Sequence, residues 1–557
     1  MSLRVAEGIV KVLEKLDTEL VFGLPGSQTC PFYDALYSSL IRHVLVRHEQ
    51  MAAYMADAYA KFTGKPGFCD GTAGPGATNL LTGIATAWTD STPLIVFTGQ
   101  QPLSHLGKGA FQELDHVAIF SPVTKWSTRL LKPERTLETV REAYKMATWG
   151  RPGPVHLDLP LDVQTQQLSQ EDLRRLKEMP LVQPPPRPLG EPSAIREAAK
   201  LLAESSRPLI VAGGGVHYSG RAWKPLRSLA EYLEIPVATT FNGRGSFPED
   251  HPLSAGRMGI HAASYNDKVL ARADVVLAVG CRFASLSTRQ WSNLNPNAAL
   301  IHVDIDSKVI GRNYLARIGI VGDAGKVLEA LLEEAKSLQN TRGRSKEWLA
   351  LLQEARESWR RSDWFSEAIF EKAPLKPQRV CSEIRRFFGR ETVFTLDAGN
   401  NKLWASTFLD IFEPCTWIQS GSFGPMGYAL PAAIACKLTS PERLVVALCG
   451  DGGFYMSLHE LATAVQEDAP VLVCIFNDMA LGTIKHHQEK LYGERFISVD
   501  LLNPDFAAIA EAFGCSGFDA ERPDQLRSSL EEGQKAVKDG RPAVINIRID
   551  GKEHLPP

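Results

Sequence analysis

No Cys-x-x-Cys pair occurs among the nine cysteines of this 557-residue chain. That excludes a thiolate metal site, and residues such as Cys449 and Cys474, set inside apolar runs, read as free thiols buried in a protein of the reducing cytoplasm. Long apolar runs are missing too: none approaches the roughly 18–20 residues that a membrane span needs. The opening "MSLRVAEGIVKVLEKLDTEL" mixes both charge signs at helical spacing and has no uninterrupted apolar stretch, so no signal peptide is expected. Nor does one sign of charge dominate. With 61 basic against 64 acidic side chains the formal net charge is −3, and no basic run marks out a nucleic-acid surface. The absence of a short-period repeat removes solenoids and propellers. What remains is a globular chain too long for one core, enough for three or four units of roughly 100–200 residues.

What is present is an alternation of short apolar runs and helical patterns. From Leu3 to about Val163, "ELVFGLPG", "PLIVFTGQ" and "PVHLDLP" read as strands and Met51 to Phe62 as a helix, which predicts an α/β unit with a parallel sheet. The proline-rich "VQPPPRPLGEP" can continue neither element and reads as a linker. A second α/β unit follows, with "RPLIVAGGG", "PVATTF", "ADVVLAVG" and "ALIHVDID" as strands. Charged, helix-rich sequence from Glu333 to Glu371 forms the next connection. The third unit carries "TVFTLDAG", "RLVVALCGDG", "PVLVCIFND" and "PAVINIRID".

Within that third unit, "VVALCGDGGFYMS" ends a strand-like run on a carboxylate flanked by glycines, Asp451. The next apolar run ends on a second acid, Asp478, 27 residues later and directly after Asn477. If "MSLHELATAVQEDA" is the crossover helix between them, both acids sit at the carboxyl ends of parallel strands, where such sheets bind ligands. Two hard oxygen ligands suit Mg²⁺, which completes its shell with carbonyl, water and substrate phosphate. The glycines admit phosphate oxygens, and a helix starting near Phe454 would aim its N-terminus at them. A lone Gly-Asp-Gly is more often a plain turn; the second acid at this spacing tips the reading toward a site.

"GDGGFYMSLHELATAVQEDAPVLVCIFND" resembles the diphosphate and metal signature of the thiamine-diphosphate (ThDP) enzymes, and most closely their acetolactate synthase large-subunit group. The same resemblance extends through "VFGLPGSQ", "RHEQMAAYMADAYAKFTGKPG", "GTAGPGATNLLTGIATAWTDSTPLIVFTGQ", "AFQELD", "GRPGPVHLDLP", "GSFPEDHPLSAGRMGIHAASY" and "GSFGPMGYALPAAIA", in order along nearly the whole chain. It implies three doubly wound parallel-sheet α/β domains: a pyrimidine-binding domain at 1–165, a central one at 190–332 and a diphosphate- and Mg²⁺-binding one at 375–550.

The resemblance also implies roles. Asp451 and Asp478, with the backbone carbonyl of Ala480, would hold Mg²⁺, while Gly450, Gly452 and Gly453 surround the diphosphate. Asn400 and Asn401 of "DAGNN" would donate to its oxygens, with shorter reach than the relatives' usual Gly-Gln-His-Gln loop. Gly26 belongs to the cofactor site; Met426 would prop the cofactor in its bent form, and backbone atoms of Gly424 and Met426 meet the pyrimidine. Glu49, in "RHEQ", would be the catalytic acid, bonded to the aminopyrimidine so that the cofactor can shed its C2 proton. Phe111 and Gln112 would line the site from the partner subunit. Since Glu49 and the Gly-Asp-Gly loop come from different chains in this group, a homodimer is expected, or a tetramer built from it. Taken without the resemblance, Glu49 reads equally well as a surface residue at a helix start, and Met426 as core filler.

The implied reaction is decarboxylation of a 2-oxo acid, pyruvate, and ligation of the remainder to a second 2-oxo acid. Departures keep an alternative open: a ThDP lyase or decarboxylase acting on another 2-oxo acid, 2-hydroxyacyl or aldehyde substrate. His487, in "IKHHQ", stands where the group usually places a tryptophan that selects the acceptor. Ser121 replaces an arginine, and "CRFAS" keeps Arg282 but loses two acids, at positions the anabolic enzymes use for a non-redox FAD. "AGGG", Gly213 to Gly215, does not satisfy G-x-G-x-x-G. FAD is left open on this reading, and the sequence does not speak to a regulatory subunit.

Overall fold

The structure, a computed structural model, describes residues 2–180, 184–338 and 346–556. Its strands form three six-stranded sheets in which every pairing is parallel. The first contains β1 (Leu20–Gly23), β2 (Arg42–Leu45), β3 (Gly67–Gly71), β4 (Leu94–Gln100), β5 (Trp126–Arg129) and β6 (Pro154–Pro160), in the order β2-β1-β3-β4-β6-β5. The second contains β7 (Pro208–Ala212), β8 (Val237–Thr239), β9 (Ser254–Arg257), β10 (Val275–Val279), β11 (Ala299–Asp304) and β12 (Ile318–Val321), in the order β12-β11-β10-β7-β8-β9. The third contains β13 (Val393–Leu396), β14 (Trp417–Gln419), β15 (Val445–Gly450), β16 (Leu472–Asn477), β17 (Ser516–Ala520) and β18 (Ala543–Arg548), in the order β14-β13-β15-β16-β18-β17. The first and third sheets thus share one strand order, while the central sheet has the other common doubly wound order.

The continuous apolar runs are explained by burial on both sheet faces. In β10, Val275, Leu277 and Val279 feed one core and Val276 and Ala278 feed the other, all essentially buried. Each such Val or Leu contributes about 1.5–3 kcal/mol when removed from water. At the switch point between β7 and β10, a Cβ on Gly213 would lie 2.1 Å from the carbonyl oxygen of Gly280. Backbone-to-backbone packing therefore accounts for that glycine without a bound nucleotide.

Two compact units emerge. One comprises Met1–Pro186, Phe423–Pro441 and Ser457–Ala469; the other comprises Arg187–Ser422, Glu442–Met456 and Pro470–Pro557. The linker Val182 to Pro192 lies partly outside the described residues; residues 184–191 form neither helix nor strand. The segment expected as one crossover helix is split into a 3₁₀ turn, Leu458–Glu460, and a short helix, Leu461–Gln466. The helix expected near Phe454 begins three residues earlier and runs over Asp451–Tyr455. The nine cysteines are free. Among the described residues, no helix is long and apolar enough to cross a membrane.

Candidate active site

In the first unit, the helix Glu49–Thr63 starts four residues after β2 and is buried along most of its length. His48 caps it, its Nδ1 accepting from the Gln50 amide at 3.2 Å. Small residues bring the next helix close: a Cβ on Gly83, within Pro75–Asp90, would fall 2.3 Å from the Ala53 Cβ. Glu49 is 6% exposed, and its Oε2 accepts from Asn79 Nδ2 at 2.9 Å. Its Oε1 faces the side of Gly76 that lacks a Cβ, which would sit 3.2 Å away.

The turn after β1 carries Gly26, where a Cβ would collide with Thr72 Oγ1 at 2.3 Å. That hydroxyl donates to Gln28 Oε1 at 2.7 Å, so the ends of β1 and β3 are tied together. Gln112 adopts a left-handed φ of 61° and lies over Gly74. The loop bearing it is anchored from below: the Gly74 amide donates to His116 Nε2 at 3.1 Å, and His116 Nδ1 meets Asp158 Oδ1 at 2.8 Å. Burial alone would raise the Asp158 carboxyl, but His116, His156 and Arg129 outweigh it and hold it below its usual range.

Gly424 and Met426 also fall in this unit. Gly424 has a φ of 62°. The Met426 carbonyl accepts from Tyr54 Oη at 3.5 Å, and Tyr428 Oη donates to Asp57 Oδ2 at 2.6 Å. Lys61 Nζ lies 2.7 Å from both Asp57 and Asp90. Burial pushes the Asp57 carboxyl up; for Lys61 burial acts downward, but the two acids reverse it and raise its pKa. The segment from Gly424 to Tyr428 is thus tied to the Glu49 helix by a buried ionic knot.

The second unit assembles the acids. Gly450 pairs with Phe476, so Asp451 and Asp478 leave the ends of neighbouring strands. Asp451 Oδ1 accepts from the Gly452 amide at 2.9 Å and Oδ2 from Asn503 Nδ2 at 2.6 Å. Asn503 also donates to Asn477 Oδ1 at 2.9 Å. Burial raises the Asp451 carboxyl, and burial together with the Asp451 charge pushes Asp478 up to about 7. Met479 turns the chain at a φ of 55°, and the Ala480 amide donates to Asp478 Oδ1 at 3.2 Å. A third strand-end acid, Asp397, is fully buried beneath Gly453, whose Cβ would sit 2.8 Å from its Cγ.

Asn400 accepts from Thr483 Oγ1 at 2.8 Å, and its amide is 3.4 Å from His486 Nδ1. Asn401 Nδ2 donates to the Leu448 carbonyl at 2.9 Å; its buried Oδ1 has no partner and points toward the Gly399 and Gly450 backbone. A Cβ on Gly482 would lie 2.2 Å from Asp478 Oδ2 and 3.0 Å from Asn400 Nδ2, so only glycine fits between them. His487 lies on the exposed side of the helix Gly482–Tyr492, while His486 turns inward.

The predicted residues therefore gather in two constellations. Glu49, Gly26, Gln112, Gly424 and Met426 lie in the first unit; Asn400, Asn401, Gly450, Asp451, Gly452, Gly453, Asp478, Ala480 and His487 lie in the second. Sequence reasoning passed over Asn503, Asp397 and the His116–Asp158 pair. Polar residues at alternate positions of the apolar "PVHLDLP" were a usable signal for Asp158; nothing local marks Asn503. The set fits a diphosphate held through a divalent cation: paired raised carboxylates and a glycine-lined turn at a helix start. The orphaned Asn401 oxygen is an acceptor that can serve a cation but not a phosphate oxygen; the amide hydrogens expected to reach the diphosphate are given to the Leu448 and Asp397 carbonyls.

Residues 3–119 match the family described as "Thiamine pyrophosphate enzyme, N-terminal TPP binding domain", residues 195–331 its central domain and residues 397–547 its C-terminal TPP binding domain. The chain is 42% identical to a "Probable acetolactate synthase large subunit" of Methanocaldococcus jannaschii, across 99% of this chain and 93% of that protein. It is 37% identical to the "Acetolactate synthase large subunit" of Corynebacterium glutamicum, across 98% and 86% of the two chains. With the "Acetolactate synthase isozyme 3 large subunit" of Escherichia coli it shares 36% identity across 99% and 96%.

Proposed function

Since the chain belongs to the thiamine pyrophosphate enzymes and is related along its whole length to acetolactate synthase large subunits, we propose that it is a ThDP- and Mg²⁺-dependent carboligase. Two pyruvate molecules give 2-acetolactate and carbon dioxide. The observation that carries this reading is the pair Asp451 and Asp478 on adjacent strand ends, both raised by burial and so in want of a cation. When bound, the cofactor supplies the electron sink for decarboxylation.

The chain's own residues do the rest. Asp451, Asp478 and the Ala480 carbonyl hold Mg²⁺; Gly450, Gly452, Gly453, Asn400 and Asn401 surround the diphosphate. Asn503 fixes the Asp451 rotamer, the usual work of a partner behind a metal ligand. Glu49, kept from bulk water by its burial and oriented by Asn79, would hold the carboxyl proton that the aminopyrimidine of a bound cofactor needs. Gly26, Gly424 and Met426 shape the pyrimidine side, and Gln112 lines the substrate space. The working enzyme is a homodimer in which Glu49 of one chain serves the cofactor held by Asp451 and Asp478 of the other.

The exposure and polarity of His487 favour a second reading, in which the acceptor is a more polar 2-oxo acid or an aldehyde. Incubation with pyruvate, ThDP and Mg²⁺, with products followed by NMR, tests both. Acetolactate is expected; acetaldehyde alone moves the assignment to a decarboxylase, and unconsumed pyruvate overturns the donor.

A further inference from the structure

Outside the two constellations, three metal-ligating side chains converge in the second unit. His486 and Glu489, one turn apart on the helix Gly482–Tyr492, meet His554 from the stretch that follows β18. One ligand atom of each lies within 4.8 Å of the others. His554 Nε2 is 3.3 Å from Glu489 Oε2, and the two imidazole rings stand 4.4 Å apart, inclined at 31°.

We propose that His486, Glu489 and His554 form a binding site for a divalent transition ion of the Zn²⁺ class. Two imidazoles and one carboxylate are the donor set such ions take, leaving a fourth position to water, whereas Mg²⁺ seeks oxygen alone. The support behind the ligands is already built. His486 Nε2 bonds the Gly551 carbonyl at 2.9 Å, which makes that nitrogen the donor and leaves the lone pair on Nδ1. A backbone carbonyl on the far nitrogen is how proteins orient a metal-bound histidine. Burial lowers the His486 pKa and keeps the ring in its neutral, ligating form. The Asn400 amide, at 3.4 Å from Nδ1, makes only a long contact that an ion can replace.

Two consequences follow from the geometry. The ion joins a helix to a distant part of the chain, so occupancy immobilises the stretch from Gly551 to His554 against the helix that carries His487. It also takes His486 away from Asn400, which keeps its bond from Thr483 Oγ1.

Zn²⁺ titration of the full chain by calorimetry tests it, with Mg²⁺ and ThDP in excess to fill the Asp451–Asp478 pair. Wild type is compared with His554→Ala and Glu489→Gln; His554 is exposed, so its loss spares the fold. Losing even a partner of a metal ligand costs about 10–100-fold in affinity, so losing a ligand should weaken one Zn²⁺ per chain by at least about 100-fold. No Zn²⁺ uptake by the wild type, or uptake of equal stoichiometry and affinity by all three proteins, overturns the site.

Discussion

The first and third sheets have the same strand order, so β3 and β15 occupy equivalent places, yet the acids at their ends have different neighbours. At the end of β3, Asp70 is fully buried and satisfied inside the domain, accepting from Tyr33 Oη at 2.9 Å beside His43. The carboxylate of that unit to which the proposed reaction gives a role, Glu49, is buried too and comes instead from a helix start. Burial raises the carboxyl of Asp70 as it does those of Asp451 and Asp478, but in the third sheet two such acids leave adjacent strand ends side by side. Topology decides where strand ends converge; the neighbouring strand end makes the difference, since β16 sets a second acid, Asp478, beside Asp451, whereas β4, next to β3, ends on Gln100.

The largest effect that can break this comparison is at Glu49. Glu49→Gln keeps shape and the bond from Asn79 but cannot pass a proton, so turnover should fall by roughly 10²–10⁴ while ThDP still binds. Mixing it with Asp451→Asn should restore activity in about a quarter of the sites, those with both intact halves in a two-fold dimer. Mixed protein as inactive as its parents would place both halves on one chain.

Glu460 sharpens the comparison, because it follows β15 in sequence but belongs to the first unit. It is fully buried, accepts from the Arg47 amide at 2.8 Å two residues before Glu49, and is pushed by burial from 4.5 up to about 7. A raised carboxyl favours the folded state in its protonated form. Its stabilising share is complete below about pH 4.5 and is lost as pH rises through 7, a change of about 3 kcal/mol. Glu460→Gln cannot lose it, so denaturant curves should show the variant gaining about that much on wild type between pH 4.5 and 8. A gap independent of pH would remove Glu460 from this role.

Asn503→Ala leaves both acids of the third sheet in place and removes the amide that orients Asp451. Mg²⁺ affinity measured with ThDP present should drop by about 10–100-fold. Unaltered affinity would mean that Asp451 is positioned by the Gly452 amide alone. The smallest effect is expected at the exposed His487. His487→Trp should shift the acceptor preference from pyruvate toward 2-oxobutanoate by about tenfold, the low end of the roughly 1–3 kcal/mol that a methylene in an apolar pocket is worth, because the position is exposed. An unchanged product ratio in competition would put His487 outside the acceptor site.

The central strands were legible because both faces are buried, which writes them as unbroken apolar runs. The strands that the apolar runs leave out are telling: β2, β5, β9, β12, β14 and β17 are the edges of the three sheets, and β3 is a short run bounded by glycine. An edge strand is paired on one side only and can be short or polar, as "RHVL" and "WSTR" are. The acids Asp451 and Asp478 were legible because each ends an apolar run. Asn503 sits in a loop, and only folding brings it to Asp451. The shared order of the first and third sheets left no trace as a repeat, because topology constrains where strands lie and not which residues fill them.

The composition of the first unit sets a timetable for synthesis. Its initial segment ends at Pro186, but the pieces that complete it, Phe423–Pro441 and Ser457–Ala469, leave the ribosome up to about 280 residues later. At about 5–20 residues per second that is a wait of roughly 15 s to a minute. Throughout it, Asp57 lacks Tyr428 and the amide of Arg47 lacks Glu460, so the nascent Glu49 helix must keep an apolar, partly charged face without its cover. The second unit is interrupted by the same insertions, and neither can finish before the other is nearly made. Truncation anywhere before Ala469 should therefore yield a substrate for chaperones and proteases, not a free-standing domain.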